Sequence, residues 1–303
     1  MNIGAIGLGA MGRPMSVNLA KDGDRVLGYD IDPEAGRGIA CETLAMVDSV
    51  AVVARGCELI VTMVPDDAAL REVVFGDDGI LAGSEFVGCL IDLSTTSVAI
   101  ALEIGEALTG RGGTFLDAAV IGGSVEAARL GRSPIVVGGD KAVFERYKVP
   151  LERLGTWDYV GELGTGKTLK LLNNMLVGIF TASNAEALSL GMNAGLDLPT
   201  MVEHLGNGSG SSTVLKSYMG RYVSEGIYGS GLIGHNLIMK DLRLACELAD
   251  ATDTPGMLLE TARQTYAACA MTLGPQKQFP SVFDHYRTLA GTGKPHPDHG
   301  DLT

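Results

Sequence analysis

Residues 161–168 read GELGTGKT, a match to the phosphate-binding pattern GxxxxGK[ST]. In that pattern backbone N–H groups and a lysine, here Lys167, cradle the phosphates of a nucleotide. Three residues further on, Lys170 and Asn174 stand four apart, so on a helix they share one face, and Gly178 and Thr181 continue the face as a small or polar stripe. A lysine enclosed in a cleft loses hydration, which lowers its pKa and lets it exchange protons near neutral pH. Taken alone, Lys170 is equally readable as a lysine snorkelling from an interface helix. A second nucleotide signal opens the chain, where GAIGLGAMGRPMSVNL contains GxGxxG as Gly7, Gly9 and Gly12. An apolar strand precedes it, a helical pattern follows, and the next strand, RVLGYD, ends in Asp30. In a dinucleotide fold such glycines give the tight turn, the close backbone approach to a pyrophosphate and the close helix–strand packing, while the acidic residue accepts from ribose hydroxyls and repels a 2′-phosphate. Asp30 is followed by Ile31 and Asp32 rather than by an arginine, so NAD is favoured over NADP.

The elements that must position these residues fall into two rhythms. Up to about residue 160, strand-length apolar runs (NIGAIG, RVLGYD, ELIVTMVP, GCLIDLS, TFLDAAV, PIVVGG, TWDYVG) alternate with helix-length segments. That is the signature of an α/β, doubly wound, mostly parallel Rossmann sheet. From about Lys167 to Ala194 the pattern becomes that of one long helix, and the remainder is helical with no convincing strand. The expected organisation is a nucleotide-binding domain over residues 1–163, an all-α domain over 164–294 joined through the long helix, and a flexible tail over 295–303. His296 and His299 in that tail have no third ligand beside them, so no metal site is expected.

Composition excludes several classes of function. The chain has 303 residues, a net charge of −13 and no basic run, which argues against a nucleic-acid partner. Five cysteines, far apart and without a CxxC pair, fit a reducing cytoplasm rather than a disulfide framework. The N-terminus has no basic segment ahead of its apolar residues, and the charge-free run 171–185 contains Asn173 and Asn174 and falls short of a bilayer span, so no membrane partner is expected.

The run Gly7-Leu-Gly-Ala-Met-Gly-Arg-Pro-Met-Ser-Val-Asn-Leu19 resembles the N-terminal motif of the β-hydroxyacid dehydrogenases, which include 3-hydroxyisobutyrate, tartronate-semialdehyde and 6-phosphogluconate dehydrogenases. The resemblance extends over nearly the whole chain. DLSTT carries the family's Ser-Thr as Ser94 and Thr95, and residues 117–131, DAAVIGGSVEAARLG, resemble the substrate-binding DAPVSGGxxxAxxG. Gly164-x-Gly166-xxx-Lys170-xxx-Asn174 fits the catalytic GxGxxxKxxxN, and residues 240–245 fit KDLxLA.

The resemblance implies that Lys170 takes and returns the hydroxyl proton while Asn174 holds the substrate oxygen. It implies that Gly7, Gly9, Met11, Gly12, Asp30, Val64, Pro65, Thr95 and Lys240 bind the cofactor, and that Ile121, Gly122 and Gly123, together with Lys170 and Asn174, receive a small carboxylate substrate. It also implies a homodimer or homotetramer. The Walker-type match is then accidental, because no later strand supplies a magnesium-binding aspartate. Two departures bear on the substrate: Ile121 stands where the family has Ser, and Ile233 lies near the family's Phe. His235, nearby, is a pocket candidate with a structural alternative. The competing readings are a reductase of imines or less acidic carbonyl compounds on the same fold, a non-catalytic NAD sensor, and an NTPase dependent on Lys167.

Overall fold

The computed structural model describes residues 1–83, 86–220 and 234–291. They fall into two compact units that divide between Lys170 and Leu171. The first contains an eight-stranded sheet in the order β3-β2-β1-β4-β5-β6-β7-β8. Its strands are β1 (Asn2–Ile6), β2 (Arg25–Tyr29), β3 (Leu44–Met46), β4 (Leu59–Thr62), β5 (Cys89–Asp92), β6 (Thr114–Val120), β7 (Ser133–Gly138) and β8 (Gly155–Gly161). Six of them form the parallel Rossmann order, β7 runs antiparallel to β6, and β8 is parallel to β7.

Seven of these strands coincide with the apolar runs in the sequence. The eighth, β3, is a three-residue edge strand in CETLAM, paired only to β2 and too short to carry a period.

Strands β4 and β5 are buried at every residue, as a parallel sheet covered on both faces requires. Successive side chains alternate between two cores. Leu59, Val61, Cys89 and Ile91 pack with Met15 and Leu19 of α1 (Gly12–Leu19) and with Phe144 and Leu151 of α6 (Lys141–Leu151). Ile60 and Leu90 pack with α2 (Val50–Gly56), α3 (Asp67–Phe75) and α4 (Val98–Thr109) on the other face. Ser49, Asp66, Ser97, Ser124 and Asp140 cap α2, α3, α4, α5 (Val125–Arg129) and α6 by accepting first-turn N–H bonds. Helix α1 has no side-chain cap and no acidic residue in its first turn.

The second unit is helical, with a single isolated bridge between Gly234 and Gln278 among its described residues. It continues α7 (Thr165–Asn193) and adds α8 (Leu198–Asn207) and the helices His235–Ala251, Met257–Leu273 and Val282–Leu289. By length and composition α7 could cross a bilayer. Ala182, Ala185, Leu188 and Lys167 of this helix are buried within the fold.

His235 takes its structural alternative. It is buried, its Nδ1 lies 3.2 Å from the Gly274 carbonyl oxygen, and its Nε2 lies 3.0 Å from Ser281 Oγ. Ile233, His296 and His299, with the rest of the tail, lie outside the described residues.

Burial pushes the His235 imidazole down to about 4, opposed by its bond to Gly274. The unfolded chain therefore binds a proton below about 6.5 that the fold resists, and stability rises with pH between those two values. Unfolding curves from pH 4 to 7.5 are expected to show His235→Gln less stable at neutral pH. The gap to the parent should narrow as the pH falls, by up to ~3 kcal/mol.

Candidate functional site

The glycine loop sits at the end of β1, where the strand order reverses between β1 and β4 and a doubly wound sheet offers its crevice. Gly7 has φ +88°, and a Cβ there would lie 2.3 Å from the Met63 carbonyl oxygen. A Cβ on Gly12 would lie 1.9 Å from the Gly7 carbonyl oxygen, whereas one on Gly9 would meet open space. Two glycines thus let the backbone close on itself and the third leaves room outside. Met11 is the last residue before α1, whose uncapped N-terminus faces an anion-binding task by its dipole.

Asp30, just past β2, accepts from Leu8 N at 2.5 Å and from Asp32 N at 2.9 Å, so its carboxylate is held beside the loop. A cradle of this shape fits a dinucleotide.

The loops after β4 and β5 are joined: Val64 N donates to Ser94 Oγ at 2.8 Å, which places Val64 and Pro65 beside Ser94 and Thr95. After β6, Ile121 is half-buried and Gly122 and Gly123 are exposed. Gly122 has φ +69° with open space around it, a conformation that favours glycine. Lys170 Nζ donates to the Val120 carbonyl at 2.8 Å, two residues before Gly122. Lys170 and the expected substrate loop are therefore adjacent within the first unit.

In the second unit Asn174 Nδ2 donates to Asp241 Oδ2 at 2.6 Å and Asn174 Oδ1 accepts from Asn173. Lys240 Nζ lies 3.2 Å from Asp241 Oδ1, with both side chains largely buried. Asn174 and Lys240 thus share one carboxylate.

The structure also explains GELGTGKT. Gly164 N and Lys167 N each donate to the Asp117 carboxylate at 2.7 Å. The anion at the start of α7 is therefore a side chain of β6, in the place a phosphate would need. Burial raises the Asp117 pKa, opposed by these two N–H donors. A Cβ on Gly166 would lie 2.4 Å from the Asp117 carbonyl oxygen, so the glycine is needed for helix and strand to meet. Lys167 points inward and is fully buried, with Nζ 2.8 Å from Asp92 Oδ2. Sequence reading missed this pair, although an aspartate ending a strand buried at every residue was a signal that something buried must neutralise it.

Residues 2–164 match the family described as the NAD binding domain of 6-phosphogluconate dehydrogenase. Residues 164–286 match the family described as NAD-binding of NADP-dependent 3-hydroxyisobutyrate dehydrogenase. The chain is 36% identical over 273 residues to 3-hydroxyisobutyrate dehydrogenase of Pseudomonas aeruginosa, covering 88% of this chain and 91% of the relative. It is 33% identical over 276 residues to 2-(hydroxymethyl)glutarate dehydrogenase of Eubacterium barkeri, covering 90% and 91%. Among solved structures, Mycobacterium tuberculosis 3-hydroxyisobutyrate dehydrogenase with L-serine matches with a TM-score of 0.85 and 27% identity, covering 94% of this chain and 99% of that one. Fold, glycine cradle and matches together define an enzyme, a dehydrogenase that uses a nicotinamide cofactor. The chain belongs to the β-hydroxyacid dehydrogenase family.

The glycines separate binding from folding. Gly9→Ala is expected to keep the parent melting temperature while weakening NADH affinity at least tenfold by fluorescence titration. Gly12→Ala should lower stability by roughly 1–3 kcal/mol through overpacking.

Proposed function

We propose that the protein transfers a hydride between NAD and a small β-hydroxy acid of the 3-hydroxyisobutyrate type, giving the semialdehyde, or runs the reverse. The observation that carries this reading is Lys170 Nζ 2.8 Å from the carbonyl of Val120, two residues before the exposed Gly122–Gly123 pair. In this reading the backbone of Gly122 and Gly123 receives the substrate carboxylate, as glycine-rich turns can. Lys170, as the neutral amine, accepts the hydroxyl proton at Nζ during oxidation and, as the ammonium, returns it during reduction. Asn174 uses one N–H on Asp241, which leaves its second for the substrate oxygen. The bound nicotinamide supplies the hydride acceptor or donor.

Val64, Pro65 and Thr95 complete the cofactor site with the glycine loop. NAD is preferred because Asp30 presents a carboxylate where a 2′-phosphate would sit. Arg13 donates to the backbone carbonyls of Ala35 and Arg37.

A second reading rests on Ile121. Where the family carries a serine hydroxyl, this half-buried isoleucine makes the pocket more apolar, which favours an imine or a less acidic carbonyl substrate.

Five free cysteines support a reducing cytoplasm. An exposed apolar stripe on α7, formed by Leu172, Leu176 and Phe180 at 44%, 45% and 39% exposure, supports burial against a second copy as a dimer or tetramer. Light scattering is expected to give an oligomer that Leu176→Lys weakens; a monomeric parent would reject that assignment.

The decisive experiment is the initial rate of NADH formation at alkaline pH with a panel of small hydroxy acids and neutral alcohols, NADP run in parallel. Turnover of one hydroxy acid with NAD is expected. Lys170→Ala should lower it by roughly 10²–10⁴ while NADH affinity stays within threefold. Turnover of neutral substrates alone would move the assignment to the Ile121 reading, and NAD binding without any turnover would make the protein a sensor.

A further inference from the structure

The ladder between β5 and β6 ends at the pair Asp92–Asp117, yet β6 runs on to Val120. Beyond that point β6 pairs with β7 alone, which leaves a fork between the end of β5 and β6. Lys167 Nζ fills the fork, donating to the carbonyls of Asp92 at 2.9 Å, Ser94 at 2.7 Å and Ala118 at 2.8 Å. Its charge is met by Asp92 Oδ2 at 2.8 Å.

Asp92 in turn accepts from Thr62 Oγ1 at 2.7 Å, Ser94 Oγ at 2.6 Å and Thr96 Oγ1 at 3.3 Å. All of these side chains are buried.

A buried ion pair is a poor device for stability alone, since its desolvation cost rivals its attraction and apolar residues of similar size often serve as well. Three directional bonds to the carbonyls of two separate strand ends are something apolar residues cannot supply. We propose that Lys167 is a positioning residue of the dehydrogenase: with Asp92 it sets the loops carrying Ser94–Thr95 and Ile121–Gly123 in register with one another and with Lys170.

The inference rests on the dehydrogenase reading for its purpose. The adenine end of the cofactor site, Gly7 to Gly12 and Asp30, makes no hydrogen bond to Lys167 or Asp92 among the described residues. Lys167 therefore governs one half of the site and leaves the other alone.

The test is Lys167→Gln, with Asp92→Asn/Lys167→Met as a second variant that removes both charges and keeps an acceptor for Thr62 and Ser94. Affinity for ADP-ribose and for NADH is measured by titration on folded protein, and kcat and KM for the best hydroxy acid are measured alongside. ADP-ribose affinity is expected within twofold of the parent, NADH affinity at least fivefold weaker, KM at least tenfold higher and kcat at least tenfold lower. Lower melting temperature with unchanged NADH affinity, KM and kcat would reduce Lys167 to a structural group. Equal weakening of ADP-ribose and NADH would show a loosened domain rather than positioned loops, and would also overturn the proposal. The binding arm needs no turnover. A parent that oxidises no hydroxy acid therefore defeats the functional reading and still leaves Lys167 judged by the ADP-ribose and NADH comparison.

Discussion

Two paired carboxylates on neighbouring strands, Asp92 at the end of β5 and Asp117 within β6, have been removed from water, and the first turn of α7 is what makes this tolerable. A buried carboxylate needs charge or donors on every side. Asp117 receives two backbone N–H groups from residues 164 and 167, and Asp92 receives the Lys167 ammonium with three hydroxyls. Because the donors of α7 point at these groups, the helix can start in only one place and at one rotation. That rotation puts Lys170 at the end of β6.

The same constraint separates two folds that share a letter pattern. In a phosphate-binding loop the glycines hold the backbone open around a ligand. Here Gly166 holds it closed against β6, and the lysine that would reach outward lies inside. The letters record that glycine and lysine are required and are silent about the direction in which they are used.

Legibility followed the length of the physical signal. The seven longer strands, the glycine loop and the long helix were visible because each repeats a period or fills a pattern across many residues. Strand β3 was invisible because three residues at an edge, with one neighbour, carry no period. The pairings of Lys167 with Asp92 and of Asn174 with Asp241 join residues 75 and 67 apart along the chain, and only the fold makes them neighbours. His235 was open in the sequence because a histidine looks the same whether it faces a ligand or a carbonyl. Its bonds to Gly274 and Ser281 decide the matter.

Reversal of the sheet's last two strands has an evolutionary consequence. Running against β6, strand β8 delivers the chain to the level of Asp117, partway along β6. Helix α7 then passes Asp92 and Ala118 through Lys167 before it meets Val120 through Lys170. The interval between Lys167 and Lys170 is thus measured against a strand, and each residue inserted between them would swing Lys170 by ~100° around the helix. Spacing along this stretch is closed to variation. Variation is then left to side chains around a fixed frame, Ile121 among them.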